Sequence, residues 1–154
     1  MAGKEKVDGT TSGTVRANIA RFRKARDLSY AQMSRSLDSI GWPILALPLR
    51  RIEDGTRRID TDDLMAISIV LHVSPLDLLL PEKDEPGTVA ITGAEDLSAD
   101  NLWGWAKGEG ALHIDMGLSG GTLVGTPSLY GGMLAAFRTP EFKAAVREAM
   151  RDAE

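Results

Sequence analysis

Cysteine is absent from this chain. That excludes disulfides, thiolate-bound zinc and cysteine nucleophiles in one step, and it fits a reducing cytoplasm. Histidine is scarce: His72 and His113 are the only two, far apart in sequence and without metal-ligand neighbours. No metal and no cofactor is therefore expected. Long apolar runs are missing too. None approaches the ~18 residues of a membrane span, so no membrane association is expected. The opening "MAGKEKVDGTTSG" lacks the apolar segment of a signal peptide and reads as a flexible stretch over residues 1–13. What remains is ample: 43% of the 154 residues are apolar, enough for a core and too many for wholesale disorder.

The net charge of −4 conceals a segregation. Residues 1–58 carry twelve Lys/Arg against six Asp/Glu, a net of +6; residues 59–154 carry six against sixteen, a net of −10. A basic half on an acidic chain suggests that one half faces a polyanion while the other stays soluble or meets a different partner. Basic residues that only solvate helices would give the same balance.

Helical periodicity runs through the first half. Val15, Ile19 and Phe22 are spaced by four and three, with basic residues on the other faces of "RANIARFRKARD". Ser29 then caps "SYAQMSRSLDSIG", and Gln32 three residues on completes a capping box. Met33, Leu37 and Ile40 form its apolar stripe, and Gly41 ends it. In "DTDDLMAISIVLHV" the leading carboxylates suit a helix N-terminus, with Leu64, Ile67 and Leu71 along one face. "SPLDLLLPE" reads as a short helix capped by Ser74, with Pro75 at its first position, Asp77 at its third and Pro81 as its stop.

Between these lies "WPILALPLRRIEDG". "WPILAL" reads as an enlarged turn whose apolar residues pack back on the core. "PLRRIEDG" reads as a helix with Pro48 in the first turn, where a missing N–H costs nothing, closed by Gly55. If Leu49 and Ile52 face inward, Arg50 and Arg51 must face outward. Five helices result, with no strand pattern.

These pieces resemble the helix-turn-helix domain of Cro and lambda-repressor-like proteins, the XRE family of DNA-binding regulators. The resemblance covers about Val15 to Pro81. It rests on Leu28, Ser29, Met33 and Ser34 at the start of the second helix, on Ile52, Glu53 and Gly55 at the end of the third, and on Leu71, His72, Val73 and Ser74 between the fourth and fifth. No single piece is specific; three in order are. The chain departs from the pattern in two places. The segment "SIGWPILALP" is longer than the family's usual turn, a form seen in actinobacteria and their phages. His72 stands where the family usually has glycine at the helix end.

The resemblance implies roles for particular residues. A helix around residues 47–54 would enter the major groove, with Ala46, Leu47, Arg50 and Arg51 as base-contacting residues. Arginine pairs bidentately with the O6/N7 edge of guanine, and an apolar side chain can meet a thymine methyl. Tyr30, Arg57 and Arg58 would contact phosphates. Arg23 and Glu53 would form a salt bridge orienting the third helix. Other readings remain open at this level: the arginine pair ion-paired with Asp54, and the Tyr30 ring packed on the first helix.

Residues 83–154 are less legible. Residues 83–95 read as a linker around "KDEPG". In 96–154, "LSADNLWGWAKGEG" suggests a helix over about Ala99–Lys107, with Ser98 as cap and Leu102, Trp103 and Trp105 as candidates for burial. Nine glycines between Gly104 and Gly132 suggest loop. Thr139-Pro140 would open a last amphipathic helix with Phe142, Val146 and Met150 spaced by four.

The expected fold class is all-α: a five-helix lambda-repressor-like helix-turn-helix domain over 14–82, followed by a smaller, mostly helical and glycine-rich region over 96–154. No catalytic constellation is found. Ser119 and Ser128 lack an accompanying base, and "GLSGGTLVG" lacks the Lys-Ser/Thr ending of a phosphate loop. His72 sits near a helix C-terminus, which favours a cation. The second half is too short and strand-poor for the self-cleaving serine–lysine protease domain of some related repressors. The expected partner is double-stranded operator DNA, bound by a cytoplasmic, nucleoid-associated regulator. A repressor, such as a phage immunity repressor, leads, acting as a homodimer on two half-sites. The alternative is a protein-interaction module such as an antitoxin or adaptor, with a protein partner on the C-terminal region.

Overall fold

The computed structural model describes residues 9–110, 112–115 and 122–125. They are mostly helical: α1 (Thr10–Ala25), α2 (Tyr30–Ser39), α3 (Ala46–Glu53), α4 (Thr61–Val70), α5 (Pro75–Leu79) and α6 (Ala99–Ala106). Short strands follow or flank α6: β1 (Thr88–Ile91), β2 (Ala94–Ser98), β3 (Leu112–Asp115) and β4 (Thr122–Gly125), paired β1–β2 and β3–β4. The chain divides into two units. One holds α1–α5 together with residues 90–93; the other holds residues 83–89 and the described residues from 94 on.

The helix ends in the first unit follow local chemistry. Ser29 and Gln32 form a complete capping box at α2, and Ser74 and Asp77 do so at α5. Asp60 caps α4 by accepting from the Asp63 amide at 2.8 Å. At the other ends, α1, α2 and α4 close on a left-handed residue: Asp27 (φ 52°), Gly41 (φ 80°) and His72 (φ 50°). After α4, the His72 amide donates to the Ile69 carbonyl and the Val73 amide to the Ser68 carbonyl, both at 3.0 Å. Two orphan carbonyls are thereby satisfied. Only glycine adopts this conformation without steric cost.

The first helix starts earlier than its sequence suggests. Residues 10–13 are helical, not part of a flexible stretch. Gly9 offers no side-chain cap, and Thr92 takes that role from far along the chain. Its hydroxyl accepts from the Thr11 amide at 3.2 Å, and its own amide donates to Thr11 Oγ1 at 2.9 Å.

The core of this unit joins α1 (Val15, Ile19), α2 (Met33, Leu37), α3 (Leu49, Ile52), α4 (Leu64, Ile67, Val70, Leu71) and α5 (Leu78). α4 is buried nearly all round, with Met65 and Ile69 as its outward apolar residues. Such a helix is the central element of its domain. Buried Asn18 secures the last helix: its Nδ2 donates to the carbonyls of Leu78 and Leu80 at 3.1 and 2.8 Å. These serve carbonyls that the end of α5 leaves open.

Two expectations about apolar residues fail here. Ile40 does not join the α2 stripe. It is the C-cap, past the last helical turn, and is 46% exposed. In "WPILAL" only Ile44 packs on the core, while Trp42, Leu45 and Leu47 are exposed. Pro43 and the non-helical backbone over residues 42–45 give that stretch no period to sort its side chains, while Ala46 and Leu47, expected in the turn, already belong to α3.

In the second unit, α6 packs on β2 and β3, burying Leu97, Leu102 and Leu112. Trp103 and Trp105 are half-buried. The strands correct three sequence expectations. Residues 88–91 are a strand inside the expected linker, 112–115 and 122–125 are strands inside the expected glycine-rich loop, and the described part of the region is not mostly helical. β3 and β4 are antiparallel, with Leu112 opposite Gly125 and Asp115 opposite Thr122. Each strand is four or five residues long, too short for alternation to stand out from its neighbours. The helix expected beyond Thr139 lies outside the described residues. No helix among the described residues is long and apolar enough to cross a membrane.

Candidate nucleic-acid interface

α3 is rooted by Leu49 and Ile52, which are 2% and 0% exposed. Helical spacing then dictates the opposite face: Leu47, Arg50, Arg51 and Asp54 follow i, i+3, i+4, i+7, and all four are exposed. Pro48 is the third helical residue, where the backbone N–H has no partner within the helix in any case. Ala46 opens the helix half-buried, and Leu47 is 56% exposed. The base-contacting candidates are thus brought together on one short face, with Ala46 at its edge.

The two arginines differ. Arg50 pairs with Asp54 at 3.5 Å along its own helix, with both side chains largely exposed. Such a pair contributes little to stability and is easily exchanged for another partner. No carboxylate among the described residues pairs with Arg51.

The end of α3 is fixed from behind. Arg23 on α1 donates to both carboxylate oxygens of Glu53, Nε to Oε1 at 2.7 Å and Nη2 to Oε2 at 2.9 Å. Its Nη1 also donates to the Leu28 carbonyl at 2.9 Å. The pair is 11% and 6% exposed. Glu53, hydrogen-bonded and nearby, raises the Arg23 pKa above its ordinary value, while burial acts in the opposite direction.

Tyr30, expected at a phosphate, also belongs to this cluster. Its hydroxyl donates to Glu53 Oε2 at 2.8 Å, and the Arg23 guanidinium lies 4.1 Å from its ring centroid. A hydroxyl has a single proton, and here it is engaged by Glu53. Burial, followed by the Glu53 hydrogen bond and charge, raises the Tyr30 pKa above its ordinary value.

Arg57 likewise has a protein partner instead of an open guanidinium. Its Nη2 donates to Asp63 Oδ2 at 2.8 Å, and the Asp63 side chain is 4% exposed. Burying a carboxylate is costly unless it is paired, so Arg57 serves Asp63 first. Arg58, beside it, is exposed.

Asp63 itself is the functional candidate that sequence reasoning passed over, taken there for a helix-dipole carboxylate. One signal was available: with Ile67 and Val70 it falls at i, i+4, i+7 on the buried face of α4. Its second partner is Trp42, whose Nε1 donates to Oδ1 at 3.0 Å. Among the described residues, no cluster of His, Asp or Glu could hold a metal ion.

Comparison with protein-family models, curated proteins and solved structures finds no match.

Proposed function

We propose that the first unit is a Cro/lambda-repressor-like helix-turn-helix domain and that the chain is a sequence-specific DNA-binding regulator of that family. One observation carries this reading: α3 exposes Leu47, Arg50 and Arg51 on one face while Leu49, Ile52 and Glu53 anchor the other. An exposed face on a rooted helix is what entry into the major groove requires. Arg51 would pair with a guanine edge, Leu47 would meet a thymine methyl one helical turn earlier, and Arg50 would leave Asp54 for a base or phosphate. Arg58 and the basic N-terminal half would supply the sequence-independent attraction to phosphate.

Repression by occupying an operator is the mode proposed, in the cytoplasm and on the nucleoid, with two copies on paired half-sites. A phage immunity repressor is one form of this. No chemistry is assigned to the chain, so the reading is of a non-enzyme. A second reading, an antitoxin or adaptor that binds a protein, draws on the outward Met65 and Ile69 of α4 and on the acidity of residues 59–154. Stoichiometric co-purification of a second protein would favour it.

The test is selection of duplexes from a randomised double-stranded DNA pool by the full chain, followed by titration at several salt concentrations. Enrichment of one motif, with affinity falling steeply with salt, is the expected result. A pool that emerges without sequence preference overturns the proposal.

A further inference from the structure

The geometry points to Asp63 as the residue that aims α3, by tying the long turn before that helix to the loop after it. This inference rests on the proposed DNA-reading role of α3. Asp63 lies on α4 and is 3% exposed. Its Oδ1 accepts from the indole N–H of Trp42 in the α2–α3 turn, and its Oδ2 accepts from Arg57 in the α3–α4 loop. The two donors thus reach it from opposite ends of α3.

Apolar packing alone does not set the turn. Ile44 is its single buried residue, and the turn borders an open surface cleft of about 510 Å³ lined by Trp42, Pro43, Leu45, Pro48, Arg57 and Asp63 among others. A turn with one buried residue is located by its hydrogen bonds, and a hydrogen bond to a charged group is strong and directional. Arg23 and Tyr30 fix the C-terminal end of α3 through Glu53. Asp63 completes the placement by holding the N-terminal approach. It touches no DNA and is a positioning residue.

The test uses the full chain with Asp63→Ala, Asp63→Asn and Trp42→Phe, against the duplex selected by the wild type and against bulk heterologous DNA. Asp63→Ala and Trp42→Phe are expected to lower affinity for the selected duplex by roughly 5- to 100-fold, the scale of one misaimed base contact. Affinity for bulk DNA, set by phosphates, should change by less than about twofold. Losses on both DNAs in proportion, tracking a fall in melting temperature, would assign Asp63 a purely structural role and overturn the inference. So would an unchanged preference.

Trp42→Phe, at a position 40% exposed, removes one arm without emptying a buried site, and carries the test if Asp63→Ala does not fold. A readout independent of DNA is the indole Nε1–H resonance of Trp42, assigned by its loss in Trp42→Phe. Asp63→Ala should shift it towards a free indole, and Asp63→Asn, with one acceptor oxygen for two donors, should restore at most one of the two arms. An unmoved resonance overturns the tie whatever the DNA result. A wild type without sequence preference but with a shifted resonance would instead sink the proposed function and leave the tie standing.

Discussion

Arg23 and Glu53, 30 positions apart, meet through two parallel hydrogen bonds of 2.7 and 2.9 Å and are almost excluded from water. The pair joins the last turn of α1 to the last residue of α3. Removing one partner strands the other, so Arg23→Ala should destabilise the chain by about 3 kcal/mol. Removing both charges with Arg23→Met and Glu53→Leu should recover most of that stability without recovering the proposed DNA selectivity. Urea unfolding of the three proteins decides the first part. A loss below about 1 kcal/mol in Arg23→Ala would mean that water reaches Glu53 and the pair is a surface one.

Tyr30 makes the same cluster sensitive to alkali. Its folded pKa lies above the ordinary value, chiefly through burial and then through the Glu53 carboxylate. A raised folded pKa means that the native state holds the proton more tightly than the unfolded chain. The resulting stabilisation is complete below the ordinary tyrosine pKa of about 10, and it is lost as pH rises from there through the higher folded value. Unfolding free energy should therefore fall above about pH 10, and less steeply in Tyr30→Phe. Equal slopes for the two proteins would remove Tyr30 from the account.

The legibility of the chain tracks how local the determining physics is. Ser29 with Gln32 and Ser74 with Asp77 announce helix starts because partners three residues apart complete them, and the apolar steps along α2 and α4 announce their buried faces. Arg50 and Arg51 could be placed outward because Leu49 and Ile52 flank them. What escaped depends on distant partners. Nothing near Thr10 shows that Thr92 caps its helix. Nothing near Tyr30 shows that its hydroxyl is spent on Glu53, and nothing in "WPILAL" shows that its indole reaches Asp63. The strands beyond residue 87 escaped for another reason: four residues carry too little pattern.

His72 and Asp27 hold left-handed backbone, φ 50° and 52°, at the ends of α4 and α1. A side chain there incurs a steric cost of about 1–2 kcal/mol that glycine avoids. Glycine returns part of that gain as extra freedom of the unfolded chain. His72→Gly should still stabilise the protein by about 0.5–1 kcal/mol, as should Asp27→Gly, measurable as raised denaturation midpoints at unchanged m-value. A lowered midpoint for His72→Gly would show that its side chain contributes more than its backbone costs.

Thr92 acts on α1 as a cap delivered from 81 residues away. Thr92→Val keeps the side-chain shape and removes the oxygen that accepts from the Thr11 amide. Loss of a cap costs about 1 kcal/mol, here confined to the first turn. Amide hydrogen exchange at Thr11 should accelerate by roughly fivefold, while exchange at core amides such as Met33 stays as it was. Unchanged exchange at Thr11 would show that α1 starts without help from Thr92.

Arg51 and Arg50 offer the sharpest separation within the proposed DNA-reading face. Arg50 is engaged by Asp54 and must exchange that partner for another on binding, so part of what it gains from DNA is offset. Arg51 has no such partner among the described residues. A well-aimed bidentate contact discriminates by about 1–3 kcal/mol. Arg51→Ala should therefore weaken binding to the selected duplex by roughly 5- to 150-fold and relax the preference at a single base pair. Arg50→Ala should weaken it less and leave the preferred motif intact. Arg51→Lys keeps the charge but lacks the planar fork, so it should retain bulk DNA affinity while losing the preference. If Arg51→Lys selects the same motif with the same stringency, Arg51 acts as a phosphate-facing charge, and reading must fall to Leu47 and Arg50.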